Sequence, residues 1–296
     1  MRPELLRLPD WLGGLPVPSY GVMLVLGATA AALAFAALAR RGGAPAGKAF
    51  EVCLETILVG VVAGKLAGWL LVPPGTQVSA GAAAGSGGVW YFGFLAGFAY
   101  VAVRSRVLGV TWLDAIDRLF PCVALGHALG RLGCFLAGCC WGRECSRPWA
   151  IAFPAQDGPR QTGIPTGVPL HPTQLYEAGA ELLLFALLAW WLLSRRAFVG
   201  QVGLLYLGGY AVTRLLIEAF RADYRGALGP LSTSQVVAVI VLAFVVPALA
   251  IAWRRGGFGV PARRKADSPP QPPARGRAGR LPLHDGRAHH SSRSRS

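Results

Sequence analysis

Seven apolar stretches joined by short polar segments constrain this chain more than any other feature: Tyr20–Ala39, Phe50–Val72, Val89–Val103, Trp112–Gly130, Leu175–Leu193, Gln201–Ala219 and Thr233–Trp253. A helix that crosses a hydrocarbon core of about 30 Å needs roughly 20 mostly apolar residues. Inside lipid the backbone must satisfy its own hydrogen bonds, which favours helices. The third stretch is short and glycine-rich, and the second, fourth and sixth carry ionisable residues. Charge is low throughout, with 15% charged and 53% hydrophobic residues, where a soluble domain carries about 25% charged. The sequence therefore predicts an all-α, polytopic integral membrane protein of about seven transmembrane helices. The first eighteen residues include Glu4 and Asp10 and lack an apolar core, so they read as a surface segment rather than a signal peptide.

Arginine and lysine mark cytoplasmic loops. Arg40, Arg41 and Lys48 follow the first stretch, Arg104 and Arg106 the third, Arg195 and Arg196 the fifth, and Arg254 and Arg255 the seventh, whereas the loop after the second carries no charge. This alternation predicts an N-out, C-in topology. Two regions follow: a seven-helix membrane domain over 1–255, and a basic, disordered cytoplasmic tail over 256–296. From Arg254 onward, eleven Arg and Lys stand against Asp267 and Asp285 in a Pro-, Gly- and Ser-rich context that cannot pack a core. Attraction to anionic membrane lipid explains such a tail better than nucleic-acid binding. No internal repeat is visible, which weighs against a transporter built from duplicated halves.

Charged groups within spans are costly and face a partner or a cavity. Tyr210, Arg214, Glu218, Arg221, Asp223 and Arg225 form one such cluster, with Arg214, Glu218 and Arg221 expected on one helical face. The cluster is either a self-neutralising triad or an anion site, because the guanidinium fork matches phosphate oxygens. A second cluster is His171-Pro172-Thr173-Gln174-Leu175-Tyr176-Glu177, opening the fifth span, with Thr173 a candidate cap and His171, Gln174 and Glu177 expected to share a face. The third runs from Gly126 to Arg143, with His127, Arg131 and glycines at 126, 130, 133, 138 and 142, and it predicts a glycine-rich loop region on the periplasmic side. Arg131 needs a counter-anion there.

These segments together resemble the prolipoprotein diacylglyceryl transferase family. Gly130-Arg131-Leu132-Gly133 with Phe135, Gly138 and Gly142 resembles that family's signature loop. His171-Pro-Thr-Gln-Leu-Tyr-Glu177 is similar to its HPSQLYE segment, Arg214-xxx-Glu218-xx-Arg221 to its RFxxExFR helix, Ser19-Tyr20-Gly21 to its WYG segment, and Leu231-Ser232-x-x-Gln235 to its LSxxQ. The resemblance implies transfer of a diacylglyceryl group from phosphatidylglycerol to the thiol of a lipobox cysteine in prolipoproteins, with glycerol phosphate released, at the bacterial inner (plasma) membrane. It implies Arg131, Arg214, His171 and Tyr20 as catalytic residues, and Arg131, Gly133, Gly142, Gln174, Tyr210, Glu218 and Arg221 as substrate-binding. The implied partners are phosphatidylglycerol, prolipoprotein signal peptides and membrane lipid, with no nucleic acid, no cofactor and no metal. The chain departs from the family twice. Cys134 stands where asparagine is usual, and Phe92-Gly93-Phe94-Leu95-Ala96-Gly97 lacks the histidine of the HGGLxG segment.

Cys134, Cys139, Cys140 and Cys145 fall within twelve residues. On an oxidising outer face they favour disulfides. Inert thiols, or a redox or metal site, are the alternatives, although Cx4CCx4C is not a common zinc pattern. Cys53 and Cys122 read as small core residues. Two other functions therefore stay open: a lipid transferase of this family with a different acceptor, and a thiol-redox or metal-handling membrane protein that uses the Cys134–Cys145 cluster.

Overall fold

The computed structural model describes residues 4–71, 87–154, 163–223 and 227–257. Its long helices, in chain order, are α1 (Ser19–Arg41), α2 (Ala46–Leu71), α3 (Gly87–Arg104), α4 (Trp112–Ala137), α5 (Thr173–Ser194), α6 (Gln201–Glu218) and α7 (Thr233–Arg255). Each predicted stretch thus matches one helix. Four of them, α1, α4, α5 and α7, are long and apolar enough to cross a membrane by length and composition. Among the described residues the strands form three short antiparallel pairs: β1 (Glu4–Arg7) with β2 (Pro16–Pro18), β3 (Ile151–Ala152) with β4 (Pro169–Leu170), and β5 (Ala227–Leu228) with β6 (Leu231–Ser232). The tail beyond residue 257, the loop 72–86 and Arg225 lie outside the described residues.

Helix α4 is the centre of the packing: it touches α1, α3, α5 and α6, while α2 lies between α1 and α3, and α7 packs on α6. Small residues permit the closest crossing. A Cβ on Gly27 would sit 2.9 Å from the Gly126 carbonyl oxygen, so α1 and α4 meet backbone to backbone. The shared core of Phe35, Ile116, Phe120, Val202 and Tyr206 fills the space between α1, α4 and α6. Leu33, Leu58, Leu95, Leu183, Leu187, Leu216, Phe244 and Val246 point outward instead. Apolar side chains exposed this densely suit a lipid solvent.

Three expectations need correction. The fourth helix does not stop at Gly130 but continues to Ala137, because Gly126 and Gly133 face α1 and are held by packing rather than freed as a loop. Only Gly138 and Gly142 of that glycine series lie in loop structure, and Gly138, at φ 72°, ends the helix in a left-handed turn. Thr173 does not cap α5. The cap position is Pro172, and the Thr173 hydroxyl donates to the Cys140 carbonyl at 2.8 Å. Helix α6 ends at Glu218, so Arg221 lies past it and does not continue the face of Arg214.

One end of the bundle is closed by ion pairs that the sequence reading passed over. Arg118 pairs with Asp114 and donates to the Leu38 carbonyl, and Arg196 pairs with both Asp114 and Asp117. Asp117 also accepts from the backbone N–H groups of Gly200 and Gly203, both at 2.8 Å. The end of α1, the start of α4, the end of α5 and the start of α6 therefore meet here. Arg196, counted from sequence among the loop charges, is mostly enclosed in this knot, its side chain 11% exposed.

Candidate active site

The opposite end holds the groups that the sequence singled out. Helices α4 and α5 face each other with ionisable residues at four-residue spacing, which stacks them on one face: His127 and Arg131 on α4, Glu177 and Glu181 on α5. Arg131 Nη2 lies 2.9 Å from Glu177 Oε1, and Arg131 Nε donates to His127 Nε2 at 3.0 Å. His127 Nδ1 faces Glu181 Oε1 at 3.2 Å. From α6, Arg214 Nη2 pairs with Glu218 at 2.8 Å and donates to Ser234 Oγ at 3.0 Å, while its Nη1 stands 3.7 Å from Glu177 Oε2. Arg221 grips Asp223 with Nε and Nη2 and points Nη1 at Glu177 Oε2, 3.5 Å away.

Glu177, only 1% exposed, is thus ringed by three guanidinium groups from two helices and a loop. The ring is charge-matched but incompletely hydrogen-bonded. Neither Glu177 oxygen has a hydrogen bond of good geometry, and the same holds for Arg214 Nη1 and Arg221 Nη1, all of them buried. A buried donor without an acceptor costs about 1–3 kcal/mol and more when charged. Both nitrogens stand in ion-pair range of Glu177 Oε2 without a hydrogen bond to it.

The loop after α4 is stitched in place by backbone hydrogen bonds. Gly142 donates to His171 O, Arg143 to Phe220 O, Cys145 to Pro169 O and Ala222 to Trp141 O. The seam explains Gly142, where a Cβ would stand 2.5 Å from His171 O and 2.8 Å from Phe220 O. Gly142 is therefore a backbone junction. Gly133 likewise makes room for α1, since a Cβ there would meet Met23 and Tyr20.

The structure brings Arg131, Arg214, Glu218 and Arg221 together. Tyr210 joins them through the His127 ring, 5.5 Å away between centroids. Tyr20 lies at the margin, 40% exposed and within electrostatic reach of Arg131. Gln174 is buried and donates to the Cys139 carbonyl at 2.7 Å. His171 does not join them. It precedes α5 and so does not follow the helical period, its Nδ1 lies 3.0 Å from the Tyr176 hydroxyl, and its ring packs on Phe220. There it lines an apolar groove of about 700 Å³ with Trp149, Ile151, Leu175, Tyr176 and Leu216. Glu181 was missed from sequence, and His127, noted with the Gly126–Arg143 cluster, was given no role, although their four-residue spacing from Glu177 and Arg131 was a usable signal. Phe92, where the family's histidine is usual, sits on α3 at 49% exposure and offers no proton acceptor.

None of the six cysteines is in a disulfide, so the expected cross-link is replaced by thiols. Cys145 is buried, with its sulfur accepting from the Arg147 N–H, whereas the sulfurs of Cys134, Cys139 and Cys140 all lie within 4.8 Å of one another.

Apolar helices around a buried arginine–carboxylate centre define a multi-pass membrane protein. A family model for prolipoprotein diacylglyceryl transferase matches residues 10–252. The chain is 31% identical to phosphatidylglycerol–prolipoprotein diacylglyceryl transferase 2 of Clostridium perfringens (strain 13 / Type A), over 77% of this chain and 88% of that one. It is also 37% identical to the phosphatidylglycerol–prolipoprotein diacylglyceryl transferase of Bordetella avium (strain 197N), over 71% and 79%. The chain belongs to the prolipoprotein diacylglyceryl transferase family.

Proposed function

We propose that the protein transfers the diacylglyceryl group of phosphatidylglycerol to the thiol of a prolipoprotein cysteine and releases glycerol phosphate. The observation that carries this reading is the pair of unsatisfied buried nitrogens, Arg214 Nη1 and Arg221 Nη1, beside Arg131 around Glu177. A lipid phosphodiester brings one negative charge and oxygens that accept both donors. The acceptor sulfur, as thiolate, attacks the glyceryl carbon. A C–S bond forms, the C–O bond to phosphorus breaks, and its electron pair leaves on the phosphate. Charge on that oxygen grows along the reaction, so preorganised guanidinium groups stabilise the transition state more than the bound lipid. Glu177, Glu218 and Asp223 hold the three arginines in position. Arg131, Arg214 and Arg221 thus contact phosphate, Tyr210 and Tyr20 line the site, and Gln174 fixes the loop over it. His171 belongs to the apolar groove, whose lining suits the apolar segment of a prolipoprotein signal peptide.

All seven helices cross the inner membrane of a bacterium in this reading, with the arginine site toward the periplasm and the Asp114–Arg118–Arg196 end toward the cytoplasm. The basic residues Arg40, Arg41, Arg104, Arg195, Arg254 and Arg255 at helix ends support that orientation. The absence of histidine at Phe92 favours, as second reading, the same lipid donor with a different acceptor. The test is incubation of purified protein with headgroup-labelled and acyl-labelled phosphatidylglycerol and a lipobox peptide. Acyl label on the peptide, with stoichiometric glycerol phosphate, is expected. Glycerol phosphate release without peptide labelling selects the other acceptor. No lipid cleavage at all overturns both readings.

A further inference from the structure

The three sulfurs next to the arginine centre form a site of their own. Cys134 sits in the last turn of α4, and Gly138 then reverses the chain so that Cys139 and Cys140 fold back over the helix end. Cys140 adopts φ 62°, a left-handed conformation rare outside glycine. Such strain persists where the surroundings impose it and concentrates at functional sites. Here the surroundings are explicit: Thr173 donates to the Cys140 carbonyl, Gln174 donates to the Cys139 carbonyl, and the Cys139 N–H donates to Cys134 O. All three sulfurs lie within 4.8 Å of one another. Metal–sulfur bonds of about 2.3 Å in tetrahedral array put sulfurs about 3.8 Å apart, so small side-chain rotations complete the geometry. Three thiolates around a mono- or divalent cation leave a net negative charge. Arg131 is in electrostatic range of Cys134 and Cys140, and Arg221 of Cys140.

We propose that Cys134, Cys139 and Cys140 bind a thiophilic d10 cation of the zinc class, whose open fourth position takes the acceptor's thiol and holds it as thiolate. The proposal rests on the lipid-transfer reading for its acceptor but not for its metal. Three protein ligands with one vacancy is the arrangement of a reactive rather than a closed site. A thiol that coordinates such a cation loses its proton, which here passes to water. The metal-bound sulfur then attacks the glyceryl carbon, and the phosphate departs toward Arg214 and Arg221. This supplies an acceptor thiolate without a histidine at position 92. It also explains why sulfur stands at Cys134, where the family usually has asparagine.

The experiment uses the full chain in detergent, reduced, stripped of metal and titrated with cadmium(II), whose thiolate charge-transfer absorption scales with the number of bound sulfurs. One cadmium per chain with three sulfur scatterers by X-ray absorption is expected. Cys139→Ser should lose about a third of the band and weaken binding at least about a hundredfold, since even outer-shell changes weaken metal binding 10–100-fold. Cys53→Ser and Cys145→Ser should change neither. A cysteine-containing lipobox peptide added to the loaded protein should raise the band by about a third, and its serine counterpart should not. Fewer than three sulfurs around the wild-type metal, or an unchanged band in the triple serine variant, overturns the site. A three-sulfur site with no response to the cysteine peptide overturns its role in holding the acceptor. None of these readouts involves lipid cleavage, so their failure is distinct from failure of the transferase reading.

Discussion

Arg214 and Arg221 each pair a carboxylate with one part of the fork and direct another part at Glu177, whereas Arg131 pairs with Glu177 itself and donates to His127. Losing a charge-assisted hydrogen bond to phosphate costs about 1.5–3 kcal/mol, or roughly ten- to hundredfold in rate. Arg131→Ala and Arg214→Ala should each lower lipid transfer by at least that much. The lysine variants should recover only part of it, because a point charge replaces a fork. Arg106→Ala, far from the centre, should transfer at the wild-type rate. Wild-type transfer by folded Arg131→Ala and Arg214→Ala proteins would mean that these arginines are structural. Glu177 calls for a different measurement. Its removal leaves three guanidinium groups facing one another in a buried space, and breaking a buried ion pair costs about 3–5 kcal/mol. Glu177→Ala should therefore show a clear drop in melting temperature, beyond any change in activity. An unchanged melting temperature would show that water already shields the ring.

At the scale of elements, the shared motifs separate into chemistry and construction. Leu231-Ser232-x-x-Gln235 is a capping box: the Ser232 hydroxyl accepts from Gln235 N, and Gln235 Oε1 accepts from Ser232 N. It starts α7 beside Arg214, which donates to Ser234 in the first turn of that helix. Ser232→Ala should cost about 1 kcal/mol, read as a lower midpoint of thermal unfolding, with transfer per folded molecule preserved. A many-fold loss of specific activity in that variant would move Ser232 into the site. The His171–Glu177 segment divides along the start of α5. Thr173, Gln174, Glu177 and Glu181 turn inward to the cysteine loop and the arginines, while His171, Leu175 and Tyr176 turn to the apolar groove.

For the whole molecule, contacts place the N-terminal end of α1, the C-terminal ends of α4 and α6 and the start of α5 on one side of the bundle, with the Asp114 knot on the other. Reporter fusions after Ser105 and Arg255 should both signal the cytoplasm, and a periplasmic signal at either site rejects the seven-span orientation. The tail from 256 to 296 is proposed as a separate cytoplasmic region, and the described residues of the centre all precede it. Truncation after Gly259 should leave transfer in detergent close to wild type, and a large loss would give the tail a catalytic role. Sequence alone determined the helices, because a backbone in lipid must satisfy itself locally and apolar length is written directly in the chain. It also pointed to Arg131, Arg214 and Arg221, because charge in an apolar run has no cheap explanation. Only the tertiary structure decided that all three meet at Glu177, that His127 and Glu181 back them, that His171 faces elsewhere, and that three sulfurs converge. Those facts depend on which faces of separate helices are packed together, and pairing between distant segments leaves no periodic trace along a single chain.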